Sequence, residues 1–291
     1  MVPSPPNLNI GKLKRELQER GFVVIHDLIP RDQALRIGDR LMEIMSALPD
    51  HDNPNGEQIM DQLFDRIEPI EDNMFLPLVT NSVHLDLVGS LLGPGFQQIG
   101  PGILWRMPGC LKRGLHADVP VPWFIQNNLP TPSNVCFMVN AIWMLTEFTR
   151  ENGATLLLPY SHNFGHVCNK WLDPTSGKLR YENENIRRYR TKLESEGDNQ
   201  LVASEGPPGS LLIFHGSTWH SPGPNITTNS NRLGASTGFI PAWLDPVYTA
   251  WGKDVLMSRA TRNRMPPDVQ MRNQRVKENY PDTSNLEAKQ Q

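Results

Sequence analysis

Hydrophobic residues in the first third of the chain recur every three or four positions, a spacing that predicts amphipathic helices. Asn9 can cap the first of these helices and Gly21 can end it. Ser82 is a candidate cap for the third. The helices predicted in this way cover residues 10–20, 31–48 and 82–93. Between the first two, the β-rich run of residues 22–25 predicts a short buried strand.

After Gly93 the hydrophobic pattern changes to alternation, which predicts β-strands separated by turns. The predicted strands are 96–107, with a break around 100–102, then 135–148, 154–158, 210–214 and 233–240. Two other segments are polar: 49–58 is predicted as an exposed loop, and the charged insert 169–198 as a surface helix. Helices followed by several short strands indicate a mainly β fold with flanking helices, an antiparallel sandwich or barrel.

We expect one domain over residues 1–291. Its helical part covers about 1–93, its β core about 94–245 and a C-terminal extension about 246–291. The C-terminal stretch 251–280 carries several methionines among charged residues. It is expected to cover a pocket mouth or a partner subunit, so a homodimer is one expected state.

The overall charge is nearly balanced, with 28 Lys plus Arg, 31 Asp plus Glu and a formal net charge of −3. It therefore gives no electrostatic reason to expect a nucleic acid or a membrane surface as partner. The 3 cysteines lack a Cys-x-x-Cys pair. They favour reduced thiols and, with no secretory pattern at the N-terminus, a cytoplasmic protein.

Candidate chemistry begins with His116 and Asp118, which would project to the same face of a strand. By itself a His-x-Asp triplet is weak evidence. His220, at a strand end after a Pro-Gly turn, could add a third ligand. His215 is a rival, but the odd spacing places only one of the two histidines inward. Two His and one carboxylate with open positions form the ligand set of non-haem Fe(II) oxygenases.

Arg232 begins the apolar run that continues to Ile240. A guanidinium suits the distal carboxylate of 2-oxoglutarate because its planar fork can donate two parallel hydrogen bonds. The alternative is an ordinary edge-strand arginine in water.

The chain resembles the phytanoyl-CoA dioxygenase family over roughly residues 13–243, and most closely its members that tailor natural products. The motifs that carry the resemblance are His116-x-Asp118, Thr146 to Thr155 with its Glu-Asn-Gly-Ala-Thr block, Leu158 to His162, Pro208 to Phe214, His220 and Arg232. Tyr160 stands where the family often has glycine.

The resemblance implies a double-stranded β-helix (jelly roll, cupin-like). It implies Fe(II) held by His116, Asp118 and His220, with 2-oxoglutarate and O2 as cosubstrates. Arg232 would bind the distal carboxylate and Thr155 would add a hydroxyl. Arg113 stands where many relatives have a glutamine that contacts the cosubstrate.

The implied reaction oxidises a C–H bond of a small, largely apolar metabolite and releases succinate and CO2. Hydroxylation, desaturation and rearrangement all remain open. The presence of Asp118 argues against halogenation, because halogenating relatives replace this carboxylate with a small residue.

Aromatic and amide side chains near the ligands are candidate substrate contacts, with core packing as the alternative. They are Trp105, Trp123, Phe124, Asn127 and Asn140. Two other functions stay open: a cupin-like hydrolase or isomerase that does not use 2-oxoglutarate, and a non-catalytic jelly-roll binding protein. Arg232 favours the oxygenase over the first, and the complete ligand set over the second.

Overall fold

The computed structural model describes residues 8–48, 57–111, 114–118, 135–164, 170–172, 179–181, 200–246 and 255–280. The α-helices in these ranges are α1 (Ile10–Arg20), α2 (Arg31–Ser46), α3 (Asp72–Phe75), α4 (Pro77–Thr80), α5 (Ser82–Leu92), α6 (Arg259–Arg264) and α7 (Pro267–Arg272). The 3-10 turns are Leu63–Asp65, Pro69–Glu71, Ser161–Phe164 and Lys277–Asn279. The strands are β1 (Phe22–Ile25), β2 (Glu57–Met60), β3 (Gln97–Arg106), β4 (Val139–Met144), β5 (Thr155–Leu157), β6 (Lys170–Leu172), β7 (Leu179–Tyr181), β8 (Val202–Ala203), β9 (Leu211–His215), β10 (His220–Pro222) and β11 (Arg232–Ile240).

Nine of the eleven described strands form two antiparallel sheets that pack against each other, and β6 and β7 form a separate pair. The larger sheet has the order β1-β9-β4-β11-β3-β2, and the smaller has the order β10-β5-β8. Phe214 and Ile142 of the larger sheet and Leu157 of the smaller belong to one buried cluster between them. The outer face of the larger sheet is covered by the helices. This is the jelly-roll arrangement with flanking helices that we expected.

Strand β4 shows how the hydrophobic alternation sets the two faces of the larger sheet. Val139, Ala141 and Trp143 face the helical layer and belong to its core, as predicted. The indole N–H of Trp143 donates to the carbonyl of Leu78 at 2.8 Å. Asn140 lies on the opposite face and lines a cavity. The alternation therefore places the apolar side of the strand against helices and its polar side chain inside the jelly roll.

Helix α1 ends just before Gly21, where the chain enters the sheet. Because Gly21 has no side chain, its backbone can lie close to His162 and Thr218. Gly21 has a φ of 88°, in the left-handed region that favours glycine. A Cβ there would lie 2.5 Å from Nδ1 of His162 and 2.7 Å from Oγ1 of Thr218. The predicted start of α1 is confirmed, since the side chain of Asn9 accepts a hydrogen bond from the backbone N–H of Lys12.

The other two predicted helices are confirmed with small shifts at their ends. Helix α2 ends at Ser46, two residues before the predicted end. The N-cap of α5 is Asn81, whose side chain accepts from the N–H of His84, so Ser82 is the first helical residue.

Three predicted segments differ from the structure. Glu57 and Gln58 begin strand β2, because they pair with Arg106 and Trp105 of β3. Strand β3 is continuous, and its irregularity is a register shift opposite β11. In the charged insert, the described residues form the antiparallel pair β6–β7 and no helix. Tryptophan and tyrosine favour strands. The rest of the predicted surface helix, residues 169, 173–178 and 182–198, lies outside the described residues.

The C-terminal extension is part of the helix-facing core, in its described residues. Met257, Met265 and Val269 are buried with residues of the N-terminal helices. The carbonyl of Val255 accepts hydrogen bonds from the N–H of Gly100 at 3.0 Å and from Gln62 Nε2 at 2.9 Å. Val255 also lines the cavity. Among the described helices, none is both long and apolar enough to cross a membrane. The single-domain boundaries stay a prediction.

Truncating the buried side chain of Met257 to alanine should destabilise the fold. Met257 is 0 % exposed, and deleting a buried methionine side chain typically costs about 2–5 kcal/mol. Met271, which is 65 % exposed, provides the matched control, and its replacement by alanine should change stability by less than about 0.5 kcal/mol. Urea unfolding of both variants measures the difference. Equal, small effects would contradict the view that the extension contributes to the core.

Stability should fall in mild acid because His84 is buried in neutral form. Its side chain packs edge-on against Trp143 and Phe239, and neither ring nitrogen has a hydrogen-bond partner among the described residues. Burial lowers the pKa of His84 from 6.5 to about 3. Below pH 6.5 the unfolded chain therefore binds a proton that the folded chain does not, so stability is lost as the pH falls.

Replacing His84 by leucine should remove this contribution. Between about pH 7.5 and about pH 5.5, the wild type should lose about 1.4 kcal/mol more unfolding free energy than His84→Leu. Urea unfolding at the two pH values measures both losses. An identical loss in the two proteins would contradict a neutral His84.

Candidate functional site

A pair of backbone hydrogen bonds brings two distant segments together at the site. The N–H of His116 donates to the carbonyl of His220 at 2.9 Å, and the N–H of His220 donates to the carbonyl of His116 at 2.8 Å. The N–H of Asp118 donates to the carbonyl of Gly216 at 2.8 Å. The backbone therefore places His116, Asp118 and His220 side by side.

The ligand atoms of His116, Asp118 and His220 converge within 4.8 Å of one another. Nε2 of His220 lies 3.1 Å from one carboxylate oxygen of Asp118, and Nε2 of His116 lies 3.6 Å from the other. Two imidazoles and one carboxylate suit a divalent transition metal and leave coordination positions open. The residues present fit the iron that this ligand pattern implies.

The orientation of both histidine rings is set by backbone carbonyls. Nδ1 of His116 lies 3.1 Å from the carbonyl of Gly114, and Nδ1 of His220 lies 2.9 Å from the carbonyl of Thr218. Each Nδ1–H can donate there, which leaves the Nε2 lone pair directed at the metal position. The amide of Asn140 donates to Asp118 Oδ2 at 3.0 Å and orients the third ligand.

The rival histidine, His215, lies outside the ligand cluster. Its ring stacks at 5.3 Å from that of His162, and its Nδ1 accepts a hydrogen bond from the N–H of Ser217. Burial lowers the pKa of His215 from 6.5 to about 3, so it is neutral and structural. As expected from the odd spacing, His215 and His220 point to different environments.

The Ser-His part of the family motif supports the loop before His220. The hydroxyl of Ser161 accepts a hydrogen bond from the N–H of Trp219 at 2.8 Å and donates to the carbonyl of Leu158 at 2.7 Å. Nε2 of His162 lies 3.0 Å from the carbonyl of Gln18 in helix α1. Tyr160, in the glycine position of the motif, adopts a φ of 66°. The turn therefore keeps its left-handed conformation without the glycine.

Arg232 is buried at the start of β11 and is 1 % exposed, so it is not an edge-strand arginine in water. Its Nη2 donates to the hydroxyl of Thr155 at 2.8 Å, and its guanidinium lies 4.5 Å from the ring centre of Phe148. Nε and Nη1 have no hydrogen-bond partner among the described residues. Two unpartnered donors on a buried cation fit an anionic ligand.

The Glu-Asn-Gly-Ala-Thr block places Thr155 beside this arginine. The side chain of Asn152 closes the turn, since its Oδ1 accepts from the N–H of Thr149 and its Nδ2 donates to the carbonyl of Glu147. Gly153 follows with a φ of 94°. Strand β5 then begins at Thr155, directed at Arg232.

One cavity of ≈ 360 Å³ contains the three ligands, Arg232 and Thr155. Its floor on β3 and β11 consists of small residues, among them Gly102, Ser236 and Gly238. Ile59, Leu104 and Ile142 add apolar walls. A volume of this size and a largely apolar lining suit a small organic ligand.

The predicted substrate contacts divide into three groups. Asn140 lines the cavity, although its amide donates to Asp118. Trp105 lies on the other face of β3 and packs against the helical core, so its assignment to the pocket was wrong. The alternation along β3 explains this, because Leu104 and Arg106 face inward and the residue between them faces outward. The remaining predicted contacts, Arg113, Trp123, Phe124 and Asn127, lie outside the described residues.

Two charged residues of the site escaped the sequence analysis. Glu57 lines the cavity although it falls in the segment predicted as an exposed loop. Arg106 is fully buried and forms an ion pair with Glu57 at 3.1 Å. The signal that could have found them is the position of Arg106 at the inward-facing end of a long apolar strand.

Comparison with known proteins gives an independent view of the fold. The sequence profile of phytanoyl-CoA dioxygenase (PhyH) matches residues 121–233, a range that includes His220 and Arg232. A solved structure of HygX from Streptomyces hygroscopicus, with nickel and 2-oxoglutarate bound, superposes with a TM-score of 0.57 at 16 % identity. The match covers 80 % of this chain and 87 % of that one. At this identity the likeness shows the shared jelly-roll fold.

Curated fungal proteins give the sequence likeness. The chain is 28 % identical over 232 residues to the dioxygenase af480 of Aspergillus fumigatus, which covers 77 % of this chain and 65 % of the relative. It is 26 % identical over 257 residues to the multifunctional dioxygenase prhA of Penicillium brasilianum, with coverages of 84 % and 76 %. The chain therefore spans just under two thirds of the length of af480. Over these ranges the chain is similar to phytanoyl-CoA dioxygenase and to fungal dioxygenases, and the matched range carries His220 and Arg232.

Proposed function

We propose that this chain is an Fe(II)- and 2-oxoglutarate-dependent dioxygenase of secondary-metabolite biosynthesis. It oxidises a C–H bond of a small, largely apolar metabolite. The observation that carries the proposal is the occurrence, in one cavity, of a His/Asp/His ligand set and a buried arginine with two unpartnered donors. A metal with three protein ligands on one face and a cation for the far end of a 2-oxo diacid are the two requirements of this chemistry.

Each residue of the site has a role that follows from its contacts. His116, Asp118 and His220 hold the metal, and Asn140 fixes the carboxylate through its hydrogen bond. Arg232 binds the distal carboxylate of 2-oxoglutarate. When bound, Fe(II) with 2-oxoglutarate and O2 supplies the oxidising power for C–H cleavage, with release of succinate and CO2.

Thr155 and Phe148 hold the guanidinium of Arg232 in position before the cosubstrate binds. The hydroxyl of Thr155 fixes one end of the guanidinium, and the ring of Phe148 covers its face. Burial, the largest cause, lowers the pKa of Arg232 to about 10, so it remains a cation at neutral pH. A charge held in a dry site attracts an anion more strongly than the same charge in water.

The apolar lining of the cavity is the basis for the substrate class. Ile59, Leu104 and Ile142 offer hydrocarbon surface, while the small side chains of the floor leave room for a ring system. The alternative of a cupin-like hydrolase or isomerase is less favoured, because such an enzyme needs no buried cation beside its metal. A non-catalytic binding protein would have no use for a complete ligand set.

The cellular setting remains part of the proposal. Burial raises the pKa of the Cys136 thiol to about 12, which makes it unreactive. An unreactive thiol is consistent with the proposed cytoplasmic location. A homodimer is the proposed assembly, and Met257, Met265 and Val269 of the C-terminal stretch are not its contact surface, because they pack into the core of the chain itself.

Anaerobic addition of Fe(II) and 2-oxoglutarate to the purified protein should produce a weak visible charge-transfer band. The band reports a 2-oxo acid chelated to an open ferrous site. His116→Ala should abolish it, because this change removes one metal ligand. His26→Ala is the matched control, since His26 is an exposed histidine outside the site. Absence of the band in the wild type, with tight zinc binding instead, would favour the cupin-like alternative.

Replacing Arg232 by methionine should weaken 2-oxoglutarate binding by at least about 100-fold while metal binding persists. A lost charge-assisted double hydrogen bond at a buried site commonly costs about 3 kcal/mol or more. Calorimetry with the manganese-loaded protein measures the affinity for 2-oxoglutarate, and manganese titration provides the internal control. Unchanged affinity for 2-oxoglutarate would rule out the proposed cosubstrate site.

A further inference from the structure

Three buried charges form a row across the inner face of the larger sheet. Glu57 of β2 is paired in register with Arg106 of β3, and Arg106 is paired with Arg232 of β11. Their exposed fractions are 2 %, 0 % and 1 %. Charged residues are almost never fully buried unless they are paired, so the row calls for a physical account.

The single carboxylate of the row forms an ion pair with Arg106. Oε1 of Glu57 lies 3.1 Å from Nη1 of Arg106, and Nη2 of Arg106 donates to the carbonyl of Leu111 at 2.6 Å. Arg232 has the hydroxyl of Thr155 as its hydrogen-bond partner. Glu57 therefore offsets the charge of Arg106 most directly, whereas Arg232 forms no ion pair with the described residues, although Nε and Nη1 of both arginines lack a hydrogen-bond partner among those residues.

The position of Glu57 relative to the cavity adds a second observation. Glu57 and Arg232 both line the cavity, whereas Arg106 is not among its described lining residues. The charges also influence one another: Arg106 contributes to lowering the pKa of Arg232, and Glu57 opposes that lowering.

We propose that Glu57 is a selectivity residue that limits the cavity to one anion receptor, by neutralising Arg106 and leaving Arg232 alone to bind a carboxylate. This inference rests on the proposed function for the identity of the ligand, 2-oxoglutarate. Glu57 is a positioning residue: it acts through the electrostatic potential at Arg232 and through Arg106. Without its charge, two neighbouring cations would attract inorganic anions as well as the cosubstrate.

The test compares Glu57→Gln, Arg106→Gln and the double variant E57Q/R106Q with the wild type. Calorimetry on the manganese-loaded full chain, without iron, gives the dissociation constant of 2-oxoglutarate. Glu57→Gln should bind 2-oxoglutarate on the order of tenfold more tightly, because it removes an opposing charge two strands from Arg232; two strand spacings are roughly 10 Å, and the effective dielectric constant is taken as about 20. Arg106→Gln should bind it more weakly by a similar factor.

The double variant separates charge balance from packing. It removes one positive and one negative charge together, so its affinity for 2-oxoglutarate should return to within about threefold of the wild type. If Glu57 and Arg106 served only to hold the strands together, both single variants would bind more weakly and the double variant no better than either. That result would overturn the proposal.

A second measurement needs neither metal nor 2-oxoglutarate. Thermal unfolding of the metal-free proteins with increasing sulfate should show a larger stabilisation of Glu57→Gln than of the wild type or the double variant, with sodium chloride at equal ionic strength as the control. Equal sulfate effects in all proteins would contradict the proposal. Wild-type protein that fails to bind 2-oxoglutarate would contradict the proposed function instead, and the sulfate comparison would then decide this inference.

Glu57→Gln leaves a buried cation unpaired and is the variant most at risk of not folding. In that event Arg106→Gln and the double variant carry the test. Arg106→Gln must weaken 2-oxoglutarate binding, and addition of Glu57→Gln must restore it. A double variant as weak as Arg106→Gln would overturn the proposal.

Discussion

The site depends on the reciprocal backbone hydrogen bonds between His116 and His220. His116 and His220 each lie in an extended segment, and neither segment alone forms the ligand set. These two hydrogen bonds fix the separation of the two histidines. A third hydrogen bond, from the N–H of Asp118 to the carbonyl of Gly216, places the carboxylate beside them. Side chains projecting from paired backbones have few degrees of freedom left, so the ligand geometry exists before a metal arrives.

The larger sheet supplies the second part of the site by separating two environments. Its outer face packs on helices and is mainly apolar, whereas its inner face carries the charged row of Glu57, Arg106 and Arg232, an asparagine and several small residues. Alternation along β4 and β11 produces both faces from the same strands. The apolar core on the outer face of the sheet therefore supports the cavity on its inner face.

Local patterns were sufficient to predict the helices, most strands and the residues with the strongest chemistry. Asn9, Gly21 and the alternating residues of β4 are explained by rules that act over a few positions. His116, Asp118, His220 and Arg232 were identified by residue type and order within a family motif, and the structure brings all four to one cavity. Their exact roles still rest on the proposed function.

Long-range pairing explains what the sequence could not provide. Glu57 belongs to a polar stretch, and only its register opposite Arg106 makes it a buried strand residue. Trp105 was misplaced because the facing direction of a residue depends on strand register, which a one-residue slip inverts. Asn140 lines the cavity, and its hydrogen bond to Asp118 depends on two distant segments coming together.

The two histidine ligands are oriented by carbonyls of Gly114 and Thr218, two positions before each of them. A main-chain acceptor cannot be deleted by exchanging a side chain. Substitutions of the surrounding side chains therefore do not remove the acceptors that fix the tautomer required for metal binding. Substitutions in the apolar walls or the floor of the cavity would therefore leave the hydrogen bonds that orient His116 and His220 in place. The orientation of the two histidine rings is therefore independent of the side chains that shape the cavity.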